Sequence, residues 1–143
     1  MLAVRCWQEG HEEGLNGMMA VAFALRNRVR AGWYGGNWLE VIENMDKSSS
    51  KLEPYGNKLP DPRIFSFMQF LQIIDNIFSG ALEDTITIKQ DGEWRTVLGK
   101  PAPVVLYWAR LDKITNPWFL DNITRNPERH ARVAQIGQLF FFS

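Results

Sequence analysis

The chain is poor in the residues from which metal centres and covalent staples are built. Its 143 residues include one cysteine, Cys6, and two histidines, His11 and His130. A lone cysteine excludes an intramolecular disulfide, and so small a set excludes a multi-cysteine or histidine-rich metal cluster. A metalloprotease reading of His11-Glu12-Glu13 fails as well, because Leu15 stands where the second histidine of that motif would fall. Neither metal nor cofactor is expected. Charge of one sign is also missing, since 16 Lys plus Arg face 16 Asp plus Glu. That balance weighs against a nucleic-acid partner, despite the arginines at 26, 28, 30, 125, 129 and 132. No apolar run approaches the ~18 residues of a membrane span. The opening residues Leu2-Ala3-Val4-Arg5-Cys6-Trp7 lack the basic segment and long apolar stretch of a signal peptide. The expectation is a protein made and folded in the cytoplasm, with no membrane span and no obligate protein partner.

What is present is an ordinary globular balance. Hydrophobic residues make up 45% and charged residues 22%, which excludes wholesale disorder. The length fits a single domain, 1–143, able to bury roughly two-thirds of its unfolded surface. Aromatics reach 13%, six of them Trp, a composition that serves a core and a sugar-binding groove equally well.

Periodicity divides the chain into a helical part and a β-prone part. Residues 2 to about 9 form a short helix with Leu2, Cys6 and Glu9 on one face, ended by the turn Gly10–Gly14. A second helix runs from about Asn16, its expected cap, to Arg30, with Met18, Val21, Ala22, Leu25 and Val29 as its apolar stripe. Gly32 and Gly35-Gly36 stop it. A third spans Trp38 to about Met45, and a polar loop covers 46 to 60. Asp61-Pro62 supplies the cap and first-turn proline of a fourth, whose apolar positions run Phe65, Met68, Leu71 and Ile74. With Phe67, Phe70, Ile73 and Ile77 widening that face, it is expected to be the central buried helix, ended by Gly80. Beyond it, Thr85–Lys89 and Glu93–Leu98 flank Asp91-Gly92, a hairpin signal. Pro103–Trp108 and Ile136–Phe142 read as further strands, Pro117-Trp118-Phe119 as a short helix or turn, and 127–135 as another helix. The fold class is α+β, mainly α, with a small antiparallel sheet.

Glu9 carries the most chemical information. Projecting from the face of Leu2 and Cys6, it is expected at the edge of apolar surroundings, where loss of water penalises the charged form, as a general acid requires. The same spacing also fits an exposed helix-end glutamate. Glu12 and Glu13 precede the second helix, where its dipole favours carboxylates; Glu13 is kept as a candidate for holding substrate or water. Cys6 reads as a small buried hydrophobe and His130, between Arg129 and Arg132, as part of a solvated helix face. Tyr107, Trp108 and Trp118 read as core, with one or two of them available to line a groove.

The stretch Glu9-Gly10-His11-Glu12-Glu13-Gly14, followed by Gly17, Ala20-Val21-Ala22 and Asn27-Arg28-Val29, resembles the opening of the cell-wall hydrolases typified by the spore cortex-lytic enzyme SleB. Later blocks keep the family's order. Gly80–Thr85, Leu106-Tyr107-Trp108, Asn116-Pro117-Trp118-Phe119 and Ile136–Phe141 are similar to its aspartate segment, aromatic strand, N-P turn and closing motif. The family's Arg and Gly after the first glutamate are His11 and Glu12 here, and two of its histidines are Ala109 and Leu139. Residues 86 to 101, with the hairpin, look like an insertion. The resemblance implies a lysozyme-like fold acting on peptidoglycan glycan strands as a lytic transglycosylase, with Glu9 as catalytic acid and Glu13, Tyr107 and Trp118 binding substrate. Water as acceptor would make it a hydrolytic muramidase, and loss of activity would leave a wall-binding or virion structural domain. Without a signal sequence it looks most like a phage endolysin, reaching the wall through a holin-type pore or as a virion component.

Overall fold

The computed structural model describes residues 2–32, 35–48, 60, 61, 63–82, 87–90, 93–96, 105, 107–111, 114, 116–130 and 132–143. The Asp91-Gly92 turn, the Asp84-Thr85 pair and most of the polar loop expected at 46–60 lie outside them. Helix α1 (Leu2–Gly10) leads through a tight turn (His11–Glu13) into α2 (Gly14–Ala31), followed by α3 (Trp38–Ser48) and α4 (Phe65–Ser79). Strands β1 (Thr87–Gln90) and β2 (Glu93–Thr96) pair antiparallel as the expected hairpin. A second sheet follows from β3 (Tyr107–Arg110), β4 (Arg132–Ile136) and β5 (Leu139–Phe142), with the short helix α5 (Pro117–Phe119) and a wide turn (Leu120–Thr124) between β3 and β4. Its order is β3-β5-β4, antiparallel throughout. The fold is α+β and mainly α.

Helix α2, rather than α4, is the buried centre. Residues 20–26 of α2 are all buried, together with Gly17 and Met18, and it packs against α1, α3, α4 and β3. Such a helix is apolar nearly all round, as the small residues Ala20, Ala22 and Ala24 beside Phe23 and Leu25 allow. Arg26 is the exception, and its buried guanidinium donates to the carbonyls of Ile77 (2.8 Å) and Leu82 (3.0 Å). It thereby ties α2 to the last turn of α4, where the Ile77 carbonyl also accepts from the Gly80 N–H, and to the segment just after it. Helix α4 turns only part of the expected band inward: Phe67, Phe70, Ile74 and Ile77 are buried, whereas Phe65, Met68 and Leu71 are exposed. An apolar pattern on both sides of a helix leaves its rotation to the neighbours. The expected Asp61 cap fails too, since Ile64 precedes the first helical residue and the Asp61 carboxylate instead holds Arg63 at 2.9 Å.

Two glycines let α1 and α2 touch. A Cβ on Gly10 would lie 2.6 Å from the backbone of Gly17, and one on Gly17 would strike the Gly10 carbonyl. The Asn16 cap is also absent, α2 beginning two residues earlier at Gly14. At the other end Gly32 stops α2 in the left-handed conformation (φ +75°), as Gly80 does for α4 (φ +82°). The segment 127–135, expected to be helical, supplies turns and strand β4, whose pairing with β5 through Gly137-Gln138 overrides its weak local preference.

The three-stranded sheet separates two apolar clusters. Trp108, Ala134, Leu139 and Phe141 face the helices, while Ala109, Phe140 and Phe142 face Phe119 and Ile123. Strand period two explains the division, because Trp108 is paired with Phe141 and Ala109 with Phe140. Burial of side chains such as Phe23, Phe70 and Phe141 contributes about 1.5–3 kcal/mol each.

Candidate active site

The close crossing of α1 on α2 carries the end of α1 against the helix-facing side of β3. Arg5, Cys6, Trp7, Gln8 and Gly10 are buried, and Glu9 keeps 27% of its side chain exposed. Its two oxygens have separate partners. Arg5, one helical turn earlier, places Nη2 3.3 Å from Oε1, and the indole Nε1–H of Trp108 donates to Oε2 at 3.2 Å. The apolar edge anticipated for Glu9 is therefore lined on its inner side by a guanidinium in an ion pair and an indole N–H in a hydrogen bond. Cys6 is fully buried beside it, and burial pushes its thiol far above the ordinary cysteine range.

The next carboxylates are held by the same strand. Arg110, two residues beyond Trp108 and so on the same face, places Nη1 2.6 Å from Glu12 and 2.8 Å from Glu13. Glu13 Oε1 also accepts from the backbone N–H of Gln138 at 3.1 Å, tying the turn after α1 to the β4–β5 turn. Gly137 makes that approach possible, with φ +56° and a hydrogen where any Cβ would overlap the Glu13 carboxylate. Glu13 is thus a clamp between α1, β3 and the last hairpin. His11 lies over Trp7, ring centroids 4.0 Å apart, and its Nδ1–H donates to the Trp7 carbonyl at 2.8 Å. Among the described residues no group of His, Cys, Asp or Glu is placed to hold a metal ion.

The other two anticipated site residues are on the far side of the sheet. Tyr107 packs against the Phe119–Ile123 cluster and meets His130 edge-on at 5.1 Å. Trp118 is 57% exposed on α5, where Asn116 caps the helix by accepting from Trp118 N–H (3.0 Å) and Phe119 N–H (3.4 Å). The structure brings Glu9 and Glu13 to β3 together and joins neither to Tyr107 or Trp118. His130, expected on a solvated helix, is half-buried, and its Nδ1–H donates to the Ser143 carbonyl at 2.9 Å. Sequence reasoning missed Arg5, Trp108 and Arg110 as partners of the carboxylates. The four-residue spacing of Arg5 and Glu9 was a visible signal. So was strand alternation, which sends Trp108 and Tyr107 to opposite faces.

This is an α+β protein in which one antiparallel strand grips the carboxylates that end its first helix and form the turn after it. No protein-family model, curated protein or solved structure matches the chain.

Proposed function

We propose that the chain cleaves peptidoglycan glycan strands between N-acetylmuramic acid and N-acetylglucosamine as a lytic transglycosylase with a lysozyme-like fold. Glu9 is its single acid and base. The observation that carries this reading is the setting of Glu9, partly exposed at the end of α1 and anchored on its buried side by Arg5 and Trp108. Protonated Glu9 donates to the glycosidic oxygen, the bond from that oxygen to the anomeric carbon breaks, and positive charge develops on the muramyl ring. The resulting carboxylate takes the proton of the muramyl 6-hydroxyl as its oxygen attacks the anomeric carbon, closing a 1,6-anhydro ring and returning Glu9 to its acid form. Arg5 supplies a countercharge while Glu9 is ionised. A hydrolytic muramidase would need a second carboxylate or a positioned water. Glu13, the nearest candidate in sequence, is occupied by Arg110 and Gln138, which favours the one-carboxyl route. Access to the wall would follow release through a holin-type pore or delivery in a virion.

The test is digestion of purified peptidoglycan with mass analysis of the soluble muropeptides, run beside Glu9→Gln. The expected products are anhydromuropeptides, one water lighter than hydrolytic ones, and Glu9→Gln releases none. Reducing-end products would replace the proposal by a muramidase. Binding to sacculi without soluble fragments would replace it by a non-catalytic wall-binding domain.

A further inference from the structure

We infer that Trp108, with Arg5, is a positioning residue that fixes the orientation of the Glu9 carboxyl; this rests on the proposed role of Glu9. A glutamate at a helix end ordinarily turns freely about its last torsion, which is broad and nearly two-fold. Glu9 cannot, because groups from two different elements hold its two oxygens, the Arg5 guanidinium of α1 by an ion pair at Oε1 and the Trp108 N–H of β3 by a hydrogen bond at Oε2. Rotation breaks at least one of these contacts.

Both groups are themselves immobile. Trp108 is 7% exposed and Arg5 3%, so neither side chain can move without opening the core. The indole is fixed by its strand's pairing with Phe141 and by the Arg28 guanidinium, 4.6 Å over its ring. A buried indole N–H requires an acceptor, and Glu9, 99 residues away in the chain, provides it. The strand also presents Arg110 on this face, but that charge is engaged by Glu12 and Glu13. Orientation matters because a proton donor must meet the glycosidic oxygen at hydrogen-bond distance and in line, and displacement by ~1 Å can cost 10²-fold in rate.

The experiment has two arms on the full chain. In the first, the indole Nε1–H resonance of Trp108, assigned through its own backbone, is followed by NMR from pH 8 to 3 in wild type and Glu9→Gln. It is expected to titrate in wild type and to stay flat in the variant. A resonance that ignores pH, or titrates identically in both proteins, overturns the inference without recourse to activity. In the second arm, Trp108→Phe keeps an aromatic ring in the core and removes the N–H. It is expected to lower kcat on solubilised glycan strands on the order of 10²-fold with KM nearly unchanged. An unchanged kcat in Trp108→Phe, with Glu9→Gln inactive, overturns the positioning role and leaves the glycosidase reading standing. A Glu9→Gln protein that still cleaves glycan strands removes the glycosidase reading and the positioning role with it.

Discussion

Replacing Gly137 by alanine tests whether the Glu13 clamp ties the turn after α1 to the β4–β5 turn. The substitution acts in two ways. At φ +56° a Cβ strains the backbone, at a cost of about 1–2 kcal/mol. The same methyl overlaps the Glu13 carboxylate, so the contacts of Glu13 with Arg110 and with the Gln138 N–H are lost. Arg110 keeps its ion pair with Glu12, so the net loss is that of about one hydrogen bond to a charged group, about 1.5–3 kcal/mol, giving a total of about 2.5–5 kcal/mol. Urea unfolding followed by tryptophan fluorescence measures it, and a double-mutant cycle with Glu13→Ala divides it. In the Glu13→Ala background the clamp is already gone, so Gly137→Ala should cost only the backbone strain. The two substitutions should therefore couple by about 1.5–3 kcal/mol, the double variant being less damaged than the sum of the singles. Additivity within ~0.5 kcal/mol would show that the methyl and the carboxylate do not compete, and would refute the reasoning.

Arg26→Met should lower stability by about 1–3 kcal/mol in the same unfolding assay, because the carbonyls of Ile77 and Leu82 lose their buried donor. Gly17→Ala should cost about 1–3 kcal/mol or more by thermal melting, since its Cβ meets the Gly10 carbonyl and cannot be accommodated by a side-chain rotation. Cys6 should resist a thiol reagent at pH 8 in the native protein and react fully once unfolded; burial raises its pKa, so neither thiolate nor access is available. Phe65→Ser, on the exposed face of α4, should change stability by no more than about 0.5 kcal/mol, measured by urea unfolding.

Local chemistry in the sequence was enough for most helices and for the hairpin. Gly32 and Gly80 stop helices where their positive φ is needed, and the runs beside Asp91-Gly92 pair as strands. What local pattern could not supply was the phase of α4. Its apolar residues lie on more than one face, and packing against α2 selected Phe67 and Phe70 over Phe65 and Met68. Strand β4 was missed because the Gly137-Gln138 turn that joins it to β5 lay inside the single strand expected over Ile136–Phe142. At the site, Glu9 and Glu13 were legible as a carboxylate pair around a turn. Their partners were not, because Trp108 and Arg110 come from 99 and 97 residues away and only the fold brings them near. Tyr107 was singled out beside Trp108, yet neighbours on a strand face opposite sides, and the indole is the one that meets the carboxylate.

The grip of β3 on the carboxylates rests on strand alternation, which sets Trp108 and Arg110 on one face about 6.7 Å apart, against the end of α1 and the turn after it. Trp108 and Arg110 can therefore meet Glu9 and Glu13 at once, and a slip of one residue would release both. Because β3 takes its register from β5, the carboxylates at 9 and 13 reach their settings only once residues 139–142 have paired with it. A chain in which that pairing is lost would carry the carboxylates but not their settings.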